Sequence, residues 1–320
     1  MQLAGRILKR LGVFVVSLVG ASVLIFVITQ ALPGDVAQTL LGTQATPDEV
    51  AQLRAQLGLD RPLIVQYLDW FGHVLVGDFG VSHLSGDSVI SLLLPRLAVT
   101  MWLVGLSMVG SLLLAVPAGM VAALKRRSWQ GVLVSASAQA GMAIPVFWGG
   151  ILAVMVFAVW LRWLPANGYV PLSENPASWA RHLVMPVVTL SVVQAAVLIR
   201  YVRTALVEVL NEDYYRTARA IGWRPMGALL RHGLRNAAIS LVTVLGLQVS
   251  SVLVGAIVVE SVFNLPGLGS LLLTAVAQRD LLVVQGTVMF LVLAVLVISA
   301  LVDFSYVLID PRQRAVQEGR

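Results

Sequence analysis

Six stretches of nearly unbroken apolar residues recur along this chain, at residues 12–32, 98–123, 132–160, 183–203, 237–260 and 284–307. A helix needs about 20 mainly apolar residues to cross a bilayer, so each stretch predicts one crossing helix. The third is long enough to tilt, or to continue as helix beyond the bilayer. Pro117, Pro145 and Pro186 fall inside these stretches. Proline frees a carbonyl and kinks a helix, which is tolerated where neighbouring helices re-satisfy the backbone.

Between the first two stretches lie residues 33–97, a long polar interval with its own periodicity. Thr46-Pro47-Asp48-Glu49 has the form of a capping box with proline at the first helical position, and Gly58 is placed to end that helix. Ile64, Tyr67, Leu68, Phe71, Val74 and Leu75 then recur at helical spacing, with Trp70 beside them. This pattern predicts a helix lying in the membrane interface; the plainer reading is a packed cap with no role toward solute.

Composition agrees. The 320 residues are 58% hydrophobic and 12% charged, where a soluble domain would carry about 25% charged residues. The class is an all-α integral membrane protein. The net charge of +6 does not indicate nucleic acid, because the charges cluster between apolar stretches as topology signals do. With both termini in the cytoplasm, the inner side holds Arg6, Lys9, Arg10, Lys125, Arg126, Arg127 and every lysine or arginine of residues 200–235 and 312–320. Only Arg54, Arg61, Arg96, Arg162, Arg181 and Arg279 are left outside. The expected organisation is a cytoplasmic N-terminus (1–11), the first crossing helix (12–32) and an external loop (33–97). A core of five further helices (98–307) follows, containing a cytoplasmic loop at 204–236, and then a cytoplasmic tail at 308–320. The first apolar stretch is too long for a signal-peptide core and lacks a clear cleavage site, so it reads as a retained helix.

Several chemistries are excluded by what the chain lacks. It has no cysteine, so no disulfide or thiolate site. It has no G-x-x-x-x-G-K-[ST] sequence, and neither of its two lysines, Lys9 and Lys125, follows a glycine. It therefore does not bind ATP through a phosphate loop of its own. No H-E-x-x-H and no G-x-S-x-G occurs, and His73, His83, His182 and His232 are scattered singly, so neither a metal site nor a hydrolase is expected. The midplanes of the stretches are free of ionisable residues. That disfavours the main alternative, an ion-coupled secondary transporter or channel. Glu260 sits toward a helix end, where a hydrated carboxylate is the plain expectation and a gate or solute contact the alternative. Gln139, Gln194, Gln248, Ser250 and Ser251 are polar positions within the stretches. They could line a route for solute, or serve as interhelical hydrogen-bond glue.

The loop from Glu212 to Asn236 is a charged, aromatic island. Glu212 and Asp213 suit the positive end of a helix. Tyr214, Ala218 and Ile221 share one face at helical spacing, and Arg216 and Arg219 another. Gly222 stands at a capping position and Pro225 follows as a stop. Such a helix could be an interfacial anchor or a knob for another protein's groove, and composition alone leaves both open.

This loop resembles the signature region of ABC importer permeases, in the branch that imports dipeptides, oligopeptides and nickel. That family carries E-A-A-x-x-x-G. Aligning on Gly222 puts Arg216, Thr217 and Ala218 at the E-A-A positions, and only the alanine and the glycine match. The peptide-permease form, E-D-Y-x-R-T-A-R-A-x-G followed by R-H-x-L-R-N, is matched by Glu212, Asp213, Tyr214, Arg216, Thr217, Ala218, Arg219, Ala220 and Gly222. Arg231, His232, Leu234, Arg235 and Asn236 complete it. Further tags resemble the family along nearly the whole chain. They are Leu32-Pro33-Gly34-Asp35, Leu57-Gly58-Leu59-Asp60-Arg61-Pro62, Gly77-Asp78-Phe79-Gly80, Trp163-Leu164-Pro165-Ala166 with Gly168-Tyr169, Glu260-Ser261-Val262-Phe263 with Pro266-Gly267-Leu268-Gly269, and Asp310-Pro311-Arg312.

The resemblance implies the type I ABC importer permease fold in a bacterial inner membrane. It implies ATPase coupling through Glu212, Asp213, Tyr214, Tyr215, Arg216, Thr217, Ala218, Arg219, Ala220 and Gly222. It also implies partners: a second homologous permease, two cytoplasmic ATPases that bind ATP and magnesium, and an external solute-binding protein. The chain itself would hold no cofactor, and the solute would be a peptide or a relative such as a nickel chelate.

Overall fold

The computed structural model describes residues 2–31, 36–42 and 44–309. The Leu32-Pro33-Gly34-Asp35 and Asp310-Pro311-Arg312 tags lie outside the described residues, as do the side chains of His232, Arg235 and Asn236. The described residues are almost entirely helical. In order they form α1 (Gln2–Ala31), α2 (Val36–Leu41), α3 (Pro47–Gln56), α4 (Leu63–Leu75), α5 (Val89–Leu124), α6 (Trp129–Ala143) and α7 (Val146–Ala153), which continues as a π-helical turn through Trp160. Then come α8 (Pro176–Asn211), α9 (Asp213–Ala220), α10 (Pro225–Ala228) with a second π turn at Leu229–Gly233, α11 (Leu234–Val262), α12 (Leu268–Gln278) and α13 (Leu281–Ile309). Among the described residues five helices are long and apolar enough to cross a membrane, and the pair α6 and α7 makes a sixth if counted as one span.

That pair differs from the expected continuous third helix. It bends by 99° at the break. Pro145 cannot donate to the helical ladder, and Ile144 before it takes the extended ψ of 119° that a residue preceding proline prefers. α5 and α8 instead run through Pro117 and Pro186 as single helices of 36 residues each. At 1.5 Å per residue each is about 54 Å long, so both outrun the expected spans.

The chain divides into two compact units. The first comprises the described residues within Met1–Val99 and Gly267–Val297. Its core gathers Phe26, Trp70, Phe79, Val89, Leu93, Leu268, Leu271 and Val284. The capping box forms as expected. Glu49 Oε2 accepts from the Thr46 amide at 2.8 Å, and the Glu49 amide donates to Thr46 Oγ1 at 3.4 Å. These bonds from Thr46 hold the Glu49 carboxyl below its ordinary range. α3 ends on Gly58 at φ +67°, where the Leu59 amide reaches back to Arg54 O at 2.9 Å, the closing bond of a glycine-terminated helix. The loop after α4 is fastened by Ser82, whose hydroxyl donates to the buried Asp280 carboxylate at the start of α13. Deeper in the same unit, the Gln285 amide donates to Thr29 Oγ1 at 2.7 Å.

The second unit comprises the described residues within Thr100–Pro266 and Ile298–Arg320. α8 is its axis, packed against α6, α7 and α11, with Leu190, Leu198, Val202 and Leu206 fully or almost fully buried. α5 approaches α8 on small residues. A Cβ at Gly110 would lie 2.4 Å from Ser191 Oγ, and one at Gly119 2.5 Å from Val202 Cγ1. The same approach lets Ser191 Oγ donate to Ser107 O at 3.2 Å. Close packing of this kind substitutes for the hydrophobic effect between helices in lipid.

Gly131, at the start of α6, is tighter still: a Cβ there would sit 2.1 Å from the Lys125 carbonyl oxygen. That obstacle is backbone in the turn joining α5 to α6 and cannot swing aside. Gly131→Ala is expected to cost about 1–3 kcal/mol or more by overpacking. Gly105→Ala, with nothing within 4 Å of its Cβ, should be neutral. Thermal midpoints of the two purified variants check this, and equal midpoints would contradict it.

Candidate coupling and pathway sites

α8 gives way to α9 at Glu212, which takes the extended conformation (φ −74°, ψ 147°) of a residue that starts a new helix. Asp213 opens the helix and pairs with Arg216 at 3.7 Å. Both side chains are well exposed, so this pair contributes little to stability. The helix turns Tyr215 and Ala218 inward, onto Val202, Leu206 and Val209 of α8 and onto Ala228 and Leu229. Tyr215 Oη donates to Pro225 O at 3.3 Å, and burial pushes its phenol pKa up, against the pull of the Arg219 charge.

The face shared by Tyr214, Ala218 and Ile221 is divided. Of these only Ala218 is buried, while Ile221 is 72% exposed. The inward direction is set by the space between α8 and α10, which the Tyr215 ring fills. Asp213, Tyr214, Arg216, Thr217, Arg219, Ala220 and Gly222 are left on the open side.

The end of α9 is built to stop. Gly222 has φ +97°, its amide donates to Arg219 O at 3.2 Å, and the Trp223 amide donates to Ala218 O at 3.1 Å. These are the two bonds of a Schellman cap, which needs a left-handed residue at this position. The Arg219 guanidinium donates to Trp223 O, and the Arg231 guanidinium lies 5.5 Å from the centre of the Trp223 ring. The result is a short knob with a tyrosine root and a basic, solvent-facing outer surface.

The polar residues expected along a pathway differ in burial. Gln194 and Gln248 are buried, Ser250 is half-buried, and Gln139 and Ser251 are exposed. Gln248 Nε2 is enclosed without a hydrogen-bond partner, so that nitrogen is not interhelical glue. Ser251 stands on the open face of α11 between the exposed Leu247 and Val254.

Glu260 overturns the expectation of a hydrated helix end. It is wholly buried, and Thr100 Oγ1 donates to Glu260 Oε1 at 2.6 Å. The chain beyond α11 folds back over it. The Leu265 amide donates to Glu260 O at 2.9 Å and the Gly168 amide to Phe263 O at 3.1 Å, with Phe263 and Leu265 buried.

Thr100, Ser82 and Asp280 were missed by sequence reasoning. The signal available for Asp280 was its place immediately before the apolar run of α13, where an acidic residue favours a helix start. Among the described residues no group of three or more histidine, aspartate or glutamate side chains could hold a metal ion.

Among the described residues, several apolar helices long enough to cross a membrane, a bent helix pair and a capped knob after α8 define the class: a multi-pass membrane protein. The family described as binding-protein-dependent transport system inner membrane component matches residues 115–315, and the N-terminal region of the same family matches residues 4–104. The chain belongs to this family and is a multi-pass inner-membrane permease subunit of an ABC importer.

A Brucella melitensis protein described as a peptide transport system permease is 39% identical over 313 residues, covering 98% of this chain and 99% of the relative. The glutathione transport system permease protein GsiC of Salmonella typhimurium is 41% identical over 308 residues, covering 96% and 98%. Among solved structures, the inward-facing MetNI methionine ABC transporter superposes with a TM-score of 0.53 at 21% identity, over 68% of this chain and 94% of that one. That last likeness is one of fold alone.

Proposed function

We propose that this chain forms half of an ATP-driven path for short peptides, paired with a second, different permease of the same family. Both termini lie in the cytoplasm. α9 docks in a cleft of one of two ATPase subunits, which bind ATP and magnesium. A solute-binding protein outside delivers the cargo. The observation that carries this reading is the α9 knob: its Tyr215 root fixes it to α8, so force applied to its exposed face is transmitted to the buried axis of the second unit. In this reading Tyr215 and Ala218 anchor the knob, and the other coupling residues meet the ATPase. Glu260 and Thr100 fasten the external ends of the second and fifth crossings, while Gln139 and Ser251 face the partner or the path. The peptide class is supported by the names of the relatives.

The test is energy dependence. The complete complex, reconstituted in liposomes with its binding protein, should accumulate labelled di- and tripeptides only when ATP is supplied on the ATPase side. Uptake driven by a proton or sodium gradient without ATP would overturn the proposal.

A further inference from the structure

We infer that α4 is a lipid-immersed interfacial helix, which sinks Ile64, Leu68 and Leu75 into the bilayer leaflet where α1 ends. The argument begins with the wheel of α4. At 100° per residue, Tyr67, Trp70, Phe71 and Val74 form one sector, Ile64, Leu68 and Leu75 a second, and Gln66, Asp69 and His73 a third. The first sector faces the core, where Trp70 is buried and Tyr67, Phe71 and Val74 pack against it. The second is bare: Ile64 is 68% exposed, Leu68 61% and Leu75 65%. The third lines a pocket of about 450 Å³ together with Arg61, His83 and Gln285. The second and third sectors point in directions about 150° apart. A helix in plain water has no reason to present three large aliphatic side chains opposite a charged face. A helix lying along a membrane surface does, with its apolar side down and its charged side up.

The attachment of α4 places it at that depth. Tyr67 Oη meets Ser22 Oγ at 2.9 Å, and Gln66 Oε1 accepts from Gln30 Nε2 at 3.3 Å. The Phe26 ring lies 5.5 Å from Tyr67 and 6.2 Å from Trp70, centre to centre. Phe26 and Gln30 belong to the last two turns of a crossing helix that ends at Ala31, and Ser22, nearer its middle, is reached by the tip of the Tyr67 side chain, so α4 lies against the terminal part of that crossing. Leu24, Val27 and Ile28 of α1 are themselves bare apolar side chains, as expected of a helix that crosses lipid. The occupant is therefore acyl chain, not protein.

Because the chain has no cysteine, single cysteines report without background. Ile64→Cys, Leu68→Cys, Leu75→Cys, Asp69→Cys and His73→Cys would each be spin-labelled in the full complex, in phosphatidylethanolamine–phosphatidylglycerol vesicles. Retained ATP-driven uptake shows that each variant is folded. At 64, 68 and 75 the ratio of oxygen to water-soluble nickel-chelate collisions should be several-fold higher than at 69 and 73. Equal ratios at all five positions would overturn the inference. Labels at 64, 68 and 75 that are shielded from both reagents, or become so only when the solute-binding protein is added, would overturn it in favour of a protein occupant. Collision ratios read depth whichever way the chain is oriented. Labelling of Asp69→Cys in intact cells by an impermeant maleimide reads the external placement of α4 separately.

Discussion

Tyr215→Ala is expected to lower ATP-driven uptake by more than about tenfold while the complex stays assembled in the membrane. The reason is the dependence of α9 on a single root. An eight-residue helix is well below the length of about 12–15 residues at which an isolated helix becomes even marginally stable in water, so α9 persists through packing. Tyr215 supplies most of that packing, because Ala218 is the only other α9 side chain buried against Val202, Leu206, Val209 and Leu229. Truncating a buried aromatic to alanine costs about 3–5 kcal/mol, and about 1.4 kcal/mol already shifts an equilibrium tenfold. Those costs exceed what the Schellman cap on Gly222 can hold, so the knob detaches and the ATPase stroke no longer reaches α8. Tyr215→Phe keeps the ring and loses only the long bond to Pro225 O at 3.3 Å, which contributes about 0.5–1.5 kcal/mol. Uptake there should fall modestly. ATPase activity and peptide accumulation, measured on the same proteoliposomes, distinguish the outcomes. Full uptake by Tyr215→Ala would remove α9 from the coupling path. Loss of the assembled complex on gel filtration would show that Tyr215 serves folding alone.

What the sequence made legible follows from where its physics is local. The crossing helices were legible because lipid removes the need for a polar face and leaves long apolar runs. The capping box at Thr46 and the cap at Gly222 were legible because each depends on a few adjacent residues. The break at Ile144–Pro145 was legible only as a proline, since Pro117 and Pro186 carry the same signal without breaking their helices. Which side chains root α9 was not legible, because Tyr214, Ala218 and Ile221 are as periodic as Tyr215 and Ala218. Only the neighbours in space decide between them. Trp70 looked like a flank of its helical stripe, yet it is the residue of α4 that reaches the core. The start of α5 was set too late because Pro95 and Arg96 interrupt its apolar run. α12, at 11 residues, is too short to register as a crossing and was passed over. Of the pathway candidates, the sequence supplied the residue types but not their partners. Glu260 looked solvated because nothing local announces that the chain beyond it, from Phe263 to Leu265, folds back as a lid.

That burial makes Glu260→Ala the second large effect. The substitution removes the acceptor of the 2.6 Å bond from Thr100 and opens a cavity at a site with no exposed surface. A buried polar group stripped of its partner costs about 1–3 kcal/mol. The purified complex should lose several degrees of thermal midpoint, and uptake should fall with it, because the fastening of α11 to α5 is gone. Glu260→Gln, which keeps an oxygen for Thr100, should retain most of both. The decisive comparison is a double-mutant cycle with Thr100→Val. If the two side chains act as one fastening, Glu260→Ala combined with Thr100→Val should cost little more than Glu260→Ala alone, since residues sharing a bond are not additive. Costs that simply add would mean that the 2.6 Å contact carries no coupling, and that Glu260 is held in place by its other surroundings.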